Sequence, residues 1–336
     1  MKRITLLLFI SSLTMFPQVG GESIYNFLNI TGSAKHAALG GNVLTLLNDV
    51  NQPTWNPSTI SKELDGKFGI NYLNYLGDIN YVSAAYAFVP NRHIGAFQVG
   101  VNYMNYGTFI GADEEGFETV NFKAYDLVIS VGYTYNFLKS DFFIGANLKI
   151  INSVIENYSS FGIGADFAVL YYNESNPFAV TLVVRNVGYQ IAVYELVREN
   201  LPLQISVGAS YKLENVPIKW HFTMDNLQKW NIAVSNPSNS TSDFDGNITD
   251  EDINVFDNAI RHFTIGAELF SENVFNIRLG YNFRRGSELA LNDTRTFAGF
   301  STGFGLNFNK FSFNYAFTKY HPVSNTSTFS LLINLY

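Results

Sequence analysis

The sequence predicts an all-β protein: a transmembrane antiparallel β-barrel of about fourteen strands with a short N-terminal helical plug, or hatch. Three observations predict this fold. Many segments of roughly ten residues alternate between apolar and polar side chains, short connections alternate with longer ones, and an export signal precedes the strands. Only 15% of the 336 residues are charged, whereas 16% are aromatic. A soluble β-sandwich is the alternative for such strands, but it gives no reason for loop length to alternate along the chain.

Residues 1–21 have the features of a secretory signal peptide. Lys2 and Arg3 supply positive charge, and the apolar run Ile4–Phe16 follows them. That run is shorter than the roughly 20 apolar residues that a spanning helix needs, so a membrane anchor is the less favoured alternative. We expect cleavage near Gly21, export, and membrane residence through strands.

Residues 22–66 are predicted to fold into the barrel mouth as the hatch. The stretch SAKHAALGG, from Ser33, has helical composition with a Gly-Gly break, and NQPTWNPSTI, from Asn51, is rich in turn residues. Glycines recur at positions predicted to face the lumen, where missing side chains would let the hatch backbone approach closely. These glycines are Gly100, Gly132, Gly145, Gly164, Gly208, Gly266 and Gly280.

Residues 67–336 carry the barrel strands. From residue 203 to residue 213 every odd-numbered residue is apolar, and every even-numbered residue is polar or glycine. Side chains of a strand point alternately to opposite faces, so one face of this strand is apolar and the other polar. The same alternation recurs in residues 97–103, 127–136, 161–171, 275–283 and 311–318. We expect the apolar face to meet lipid and the polar face to line the lumen.

Loop lengths support this arrangement, because short turns alternate with mostly long connections. The tight turns are predicted at residues 89–92, 138–141, 173–177, 214–217, 271–274 and 309–310, and the long loops at 107–124, 189–202, 228–259 and 286–296. Outer-membrane barrels have short periplasmic turns and longer surface loops. The terminal aromatic Tyr336 is predicted to act as a barrel-assembly signal, although it is out of phase with the alternating residues before it.

Composition excludes several classes of function. The chain has no cysteine, which excludes disulfides and thiolate chemistry, and its net charge of −7 argues against nucleic acid as a partner. The histidines are scattered, without a local nucleophile–histidine–acid grouping, so we predict structural histidines and no enzymatic activity. They are His36, His93, His221, His262 and His321.

Charged residues predicted to face the lumen are interpreted as a structural network holding the strands and the hatch. They are Lys149, Asp166, Arg185, Lys212, Glu268, Arg278 and Arg284. A permeation or ligand pathway is the alternative, and Asp166 is expected to pair with Arg185. The acidic segment from Asp243 to Asp252 partly resembles a calcium loop, but Ile248 replaces the usual glycine. We predict no metal site and no cofactor.

Several long stretches of the mature chain resemble one family of barrels. The stretches are GESIYNFLN (from Gly21), SAKHAALGG (Ser33), NYLNYLGDINY (Asn71), YSSFGIGAD (Tyr158), RNVGYQI (Arg185), LQKW (Leu227), RHFTIGAE (Arg261), LGYNFRRGSEL (Leu279) and GFSTGFG (Gly299). Through them the chain resembles the PorQ-type barrels of the Bacteroidetes type IX secretion system, within the wider PorV and FadL-type family of outer-membrane barrels. The likeness covers nearly the whole mature chain.

The resemblance implies a fourteen-stranded, hatch-bearing barrel in the outer membrane. It also implies a place in the attachment complex with PorU, PorV and PorZ, in which a sortase-like subunit attaches secreted cargo to surface lipopolysaccharide. PorQ-type barrels hold the peripheral PorZ subunit, so we expect the long loops to contact a PorZ-like protein. The predicted contact residues are Lys229, Trp230, Asp243, Phe244 and Asp245 in loop 228–259, and Asp113 and Phe117 in loop 107–124. The alternatives are a FadL-like transporter of hydrophobic compounds and a PorV-like cargo shuttle.

Overall fold

The computed structural model describes most of the chain after the predicted signal peptide. The described residues are 23–91, 95–136, 140–173, 175, 178–236, 239, 241–242, 248–249, 251–290, 297–320 and 324–335. The signal peptide therefore lies outside the described residues.

Fourteen antiparallel strands close into one barrel, which confirms the predicted fold class. Two further short strands, Thr241–Ser242 and Ile248–Thr249, form a separate hairpin within one connection. The strands are β1 (Lys67–Asn74), β2 (Asn80–Asn91), β3 (Gly95–Phe109), β4 (Phe122–Asn136), β5 (Phe142–Ile155), β6 (Tyr158–Asn173), β7 (Phe178–Ala192), β8 (Gln204–Lys212), β9 (Ile218–Met224), β10 (Thr241–Ser242), β11 (Ile248–Thr249), β12 (Phe263–Leu269), β13 (Phe275–Asn282), β14 (Phe300–Asn307), β15 (Phe311–Thr318) and β16 (Thr326–Asn334).

Closure is made by the first and last strands. β1 pairs with β2 on one side and with β16 on the other, from Lys67 opposite Asn334 to Asn74 opposite Ser327. Every barrel strand therefore has two hydrogen-bonded neighbours, and no strand edge is left along the ring. A closed sheet satisfies its backbone donors and acceptors internally, which is the condition for strands to cross hydrocarbon.

Burial alternates along the strands with the predicted phase. In β8 the even-numbered residues from Gln204 to Ser210 are buried, whereas Val207 and Tyr211 are exposed. In β5 the outward Leu148 and Ile150 are 68% and 53% exposed. The barrel therefore presents an apolar outer wall and encloses a polar inner wall, as in membrane-spanning barrels.

The two ends of the barrel differ. At one end, here the turn end, strands are joined by short turns such as residues 213–217 and 308–310. At the other end, here the loop end, lie the long connections 110–121, 193–203, 225–262 and 283–299. Two loop-end connections are short, namely 75–79 and 156–157. Short and long connections thus alternate along the chain, as predicted, in most cases.

The helices are short and lie outside the strands. α1 (Ala34–Ala38) belongs to the segment before β1, α2 (Val255–Ile260) to the β9–β12 connection, and α3 (Phe283–Glu288) follows β13. Four single turns of 3-10 helix also precede β1: Asn26–Asn29, Gln52–Thr54, Pro57–Thr59 and Lys62–Leu64. No helix in the described part of the chain is long and apolar enough to cross a membrane.

Candidate functional site

The segment before β1, residues 23–66, is the hatch, and it passes through the lumen from the loop end to the turn end. Near its start the Ile24 N–H donates to the Asn200 carbonyl in the loop-end connection 193–203, at 3.0 Å. Near its end the Asp65 carboxylate accepts from the Val89 N–H at the turn end, at 2.9 Å. The hatch therefore spans the interior between the two mouths rather than covering one of them.

Polar side chains of the inner wall bind the hatch backbone along this path. The Asn147 amide donates to the Pro53 carbonyl at 2.7 Å, and the Gln98 amide donates to the Val50 carbonyl at 2.7 Å. Both wall residues are fully buried. These bonds satisfy carbonyl groups that a buried, irregular segment would otherwise leave unpaired, at a cost of about 1–3 kcal/mol each.

Glycines of the wall permit this close approach. A side chain at Gly145 would overlap the backbone of Pro57 and Ser58, and one at Gly280 would overlap the backbone at Gly40. The prediction that glycines of the lumen admit the hatch backbone is confirmed at these positions.

A charged network lies in the wall between β5 and β7. The Lys149 ammonium donates to the Asp166 carboxylate at 2.7 Å and to the Asn186 side chain at 2.8 Å. The Asn186 N–H, from a residue with φ of 60°, also donates to Asp166 at 2.8 Å. Asp166 is fully buried. It pairs with Lys149 rather than with the predicted partner Arg185.

Arg185 instead binds the hatch. Its guanidinium donates to the Leu28 carbonyl at 2.7 Å and to the Gln204 side chain at 2.9 Å. The same group lies 3.7 Å from the centre of the Trp55 ring, in cation–π geometry. One wall residue thus joins two distant parts of the hatch.

A second network lies between the hatch and the strands β9, β12 and β13. The Thr45 hydroxyl of the hatch lies 3.0 Å from His221 Nδ1, and His221 Nε2 lies 2.9 Å from the Glu268 carboxylate. Arg278 donates to the other Glu268 oxygen at 3.1 Å and to Asn314 at 2.9 Å.

The hydroxyl–imidazole–carboxylate order of this second network resembles a catalytic triad. Thr45 and His221 are each 1% exposed, however, so the Thr45 hydroxyl is too deeply enclosed for a substrate to reach it. The arrangement holds the hatch to the wall. Sequence analysis placed Glu268 and Arg278 in a structural lumen network but missed Thr45 and His221, although the side chain of His221 alternates inward with its strand.

Two of the predicted lumen charges lie at the barrel ends. Lys212 has the inward phase, but it lies at the turn end and pairs with Glu272 of the β12–β13 turn. Arg284 is not on a strand: it lies in α3 and pairs with Glu288 at 3.0 Å. Its predicted lumen position is wrong because the Asn282 side chain accepts from the Arg285 N–H at 2.9 Å and begins a helix there.

The electrostatics of the hatch are dominated by burial. His36, on α1, is fully buried, and its ring lies 5.8 Å from that of Trp55. Burial lowers the pKa of His36 from its ordinary value of 6.5 to about 4, because the enclosed site penalises the charged ring. The imidazole is therefore neutral at pH 7.

The largest loop-end connection forms an ordered surface, which we call the loop platform, from residues 225–236 and 251–262. The Asn258 amide donates to the Trp230 carbonyl at 2.5 Å, while its oxygen accepts from Ile232 N–H and Ala233 N–H at 3.1 and 3.0 Å. The Trp230 ring stacks on His262, with centroids 5.1 Å apart. Side-chain bonds thus fix a connection that has little regular structure.

A second set of contacts ties the two parts of the loop platform together. The Asn236 N–H donates to the Glu251 carboxylate at 3.0 Å, which lowers the pKa of that carboxyl below its usual range. Arg261 donates to the Val234 carbonyl at 2.6 Å. The predicted contact residues Lys229 and Trp230 are exposed on this platform. The predicted contacts Asp243, Phe244 and Asp245 lie outside the described residues.

Within the other predicted contact loop, 107–124, the connection 110–121 forms a small hairpin, which we call the loop hairpin. The Asp113 carbonyl accepts from Gly116 N–H at 3.0 Å, and the Asp113 carboxylate accepts from Phe117 N–H at 2.8 Å. Phe117 is held at the tip of this turn and is 72% exposed.

A cavity of about 710 Å³ opens at the turn end between the hatch and strands β2–β6. Ile60 and Leu170 give it a buried apolar floor, while Lys62, Glu63 and Asp141 line its rim. Its size is in the range of small-molecule sites.

Within the described ranges, no cluster of three His, Asp or Glu residues could hold a metal ion. Most of the acidic segment 243–252 lies outside those ranges, as does the predicted assembly signal Tyr336.

No family model matches the chain, and no curated protein matches it. Among solved structures, the toluene transporter TbuX of Ralstonia pickettii is similar with a TM-score of 0.55 and 13% identity, covering 91% of this chain and 98% of that one. Two mutants of the monoaromatic hydrocarbon channel TodX are also 13% identical. The ΔS2 form gives a TM-score of 0.53, covering 90% of this chain and 97% of that chain, and the ΔS2S3 form gives 0.51, covering 89% and 96%. At such identity the likeness shows the fold alone: a closed antiparallel β-barrel like those of TbuX and TodX.

Proposed function

We propose that this barrel is a non-catalytic anchor in the outer membrane. Closed by its hatch, it holds a peripheral PorZ-like subunit of the type IX secretion attachment complex, together with PorU and PorV, at the cell surface. The observation that carries this proposal is the contrast between its two candidate sites. The hatch occupies the lumen and is hydrogen-bonded to the inner wall, whereas the loop end presents exposed apolar side chains on an ordered backbone.

The state of the lumen supports an anchor over an open pore. Arg185 is 1% exposed and binds the hatch by a hydrogen bond and a cation–π contact. Thr45 extends the buried Glu268–His221 pair into the hatch. Removing the hatch would break the bonds from Leu28 to Arg185 and from Thr45 to His221, each worth about 0.5–1.5 kcal/mol, and the Arg185–Trp55 contact. These contacts favour the closed form.

The loop platform supports docking of a protein. Trp230 is 48% exposed, and Val255 and Phe256 are 75% and 70% exposed. Aromatic side chains held in place before binding are typical of the residues that dominate interface energy. Exposed apolar side chains grouped on one surface mark a site of interaction with another molecule.

The test replaces the exposed apolar groups of the platform and measures the PorZ-like protein on intact cells. We expect the triple variant Trp230→Ser, Val255→Ser and Phe256→Ser to retain less than a tenth of the wild-type amount, with the barrel still inserted. The triple variant Val216→Ser, Val274→Ser and Phe308→Ser, at exposed apolar residues of the turn end, is the matched control and should have no effect. Normal retention by the triple variant would contradict the proposal.

A second function, passage of hydrophobic compounds, is favoured by the turn-end cavity and by the fold shared with TbuX and TodX. It requires the hatch to move. A β-carbon built on Gly208 would lie 2.8 Å from that of Leu44, so a shift of about 1 Å allows a disulfide in a Leu44→Cys, Gly208→Cys variant. Since the chain has no cysteine, this would be its only disulfide. Locking should stop toluene uptake by a transporter but leave an anchor unaffected, and reduction should restore the uptake.

A further inference from the structure

Three loop-end connections repeat one pattern: an exposed apolar residue bracketed by carboxylates. The sequences are EEGFE at residues 114–118, ELVRE at 195–199 and EDINVFD at 251–257. The loop hairpin, residues 110–121, contains four carboxylates and no Lys or Arg. These sequences come from three different connections of the barrel, so the pattern is not a property of one loop.

The tip at Phe117 is held rigidly although it is exposed. Thr119 N–H donates to the Gly111 carbonyl at 2.7 Å, and Asp113 N–H donates to the Phe117 carbonyl at 3.0 Å. With the carboxylate bond from Asp113 to Phe117 N–H, these contacts fix the turn. The backbone that carries the ring therefore loses little conformational freedom on binding.

The tip on α2 is fixed by a helix cap. The Asn254 side chain accepts from the N–H groups of Phe256 and Asp257, both at 2.9 Å. Through Asn258, the same short helix is bonded to the loop platform. The backbone that carries Val255 and Phe256 is consequently held in place by hydrogen bonds.

The third tip lies in connection 193–203. Leu196 and Val197 are 94% and 75% exposed. The connection is tied back to the barrel because Glu199 N–H donates to the Gln190 side chain at 3.1 Å. The Tyr194 hydroxyl donates to Ser153 on the inner wall.

We propose that the three tips form one docking surface for a soluble protein whose contacting face is basic and carries apolar pockets. This rests on the proposed anchoring function and names the chemistry of its partner. Apolar side chains alone would also suit a lipid surface. Bracketing carboxylates disfavour that occupant, because they would enter anionic head groups and lose their hydration. A basic protein face gains from the same carboxylates, which raise the association rate and exclude acidic competitors.

The experiment measures binding of the purified PorZ-like protein to the full barrel in nanodiscs at 50 and 500 mM NaCl. One variant reverses charge beside the hairpin tip (Glu114→Lys, Glu115→Lys, Glu118→Lys), and another removes its apolar group (Phe117→Ser). The triple reversal Glu63→Lys, Glu214→Lys, Glu272→Lys, at exposed residues of the turn end, is the charge-matched control and should leave binding within twofold of the wild type. We expect the triple reversal to weaken binding at least tenfold at 50 mM NaCl and to abolish most of the salt dependence. We expect Phe117→Ser to weaken binding by a similar factor at both salt concentrations.

Three results would count against the proposal, and they differ from one another. Wild-type binding that all variants keep within twofold would overturn the docking chemistry and leave the anchor function standing. Absence of wild-type binding would overturn the anchor function itself. A Phe117→Trp variant whose fluorescence shifts to the blue on adding lipopolysaccharide-containing vesicles, without the protein, would show that the tips dip into lipid.

Discussion

The buried pair Lys149–Asp166 provides the most direct test of the structure. Asp166 accepts hydrogen bonds from Lys149, Asn147 and the Asn186 N–H, at 2.7, 3.2 and 2.8 Å, and is fully buried. Replacing Asp166 by Leu leaves the Lys149 ammonium enclosed without a counter-charge. Breaking a buried pair in this way costs about 3–5 kcal/mol, and the unpaired Asn186 N–H adds to that cost. We expect the free energy of unfolding to fall by about 4 kcal/mol.

The double variant Lys149→Met, Asp166→Leu should recover most of this loss, because two apolar side chains replace two desolvated charges. The coupling energy of the cycle should be about 2–3 kcal/mol. Urea unfolding of the refolded barrel in detergent, followed through its three tryptophans, measures both quantities. Lys212→Met is the control: its ion pair with Glu272 is partly exposed, and the loss should stay below about 1 kcal/mol. Equal losses for Asp166→Leu and Lys212→Met would refute the assignment of a buried network.

Three further predictions concern the hatch. Because the chain lacks cysteine, Ser23→Cys should react with a membrane-impermeant maleimide on intact cells, whereas Ser140→Cys at the turn end should react only after permeabilisation; the reverse order would invert the barrel. His36, whose pKa burial lowers to about 4, favours the docked hatch fully above pH 6.5 and loses this contribution as the pH falls through 4. At pH 5 docking should be weaker by about 2 kcal/mol, seen as faster hydrogen exchange in the hatch, and His36→Asn should remove this pH dependence. Gly145→Val should push the Pro57 backbone off the wall and raise ion conductance in planar bilayers; unchanged conductance with an intact barrel would contradict the close approach.

The fold class was predictable from the sequence because its main signal has a period of two. Alternation in residues 203–213 fixes which side chains face lipid, and the structure confirms that phase in β8. The alternation of short and long connections likewise predicted which connections lie at each end of the barrel. These signals are local, so they survive without any knowledge of which strands are neighbours.

Pairing between inward side chains of neighbouring strands was less predictable because it depends on register. Asn147 lies opposite Asp166, and this register brings Lys149 within reach of the carboxylate. Nothing local to Asp166 distinguishes that partner from Arg185. The Thr45–His221 contact was missed for a related reason, since the path of the hatch inside the barrel leaves no periodic trace in the sequence.

The hatch path constrains how the molecule is assembled. Its first residues contact one mouth and its last residues the other, and the inner wall fits closely around its backbone. Once the barrel has closed, its lumen leaves no room for the hatch to be inserted from one end. The segment before β1 must therefore lie inside the still-open sheet before β16 pairs with β1 and closes the ring.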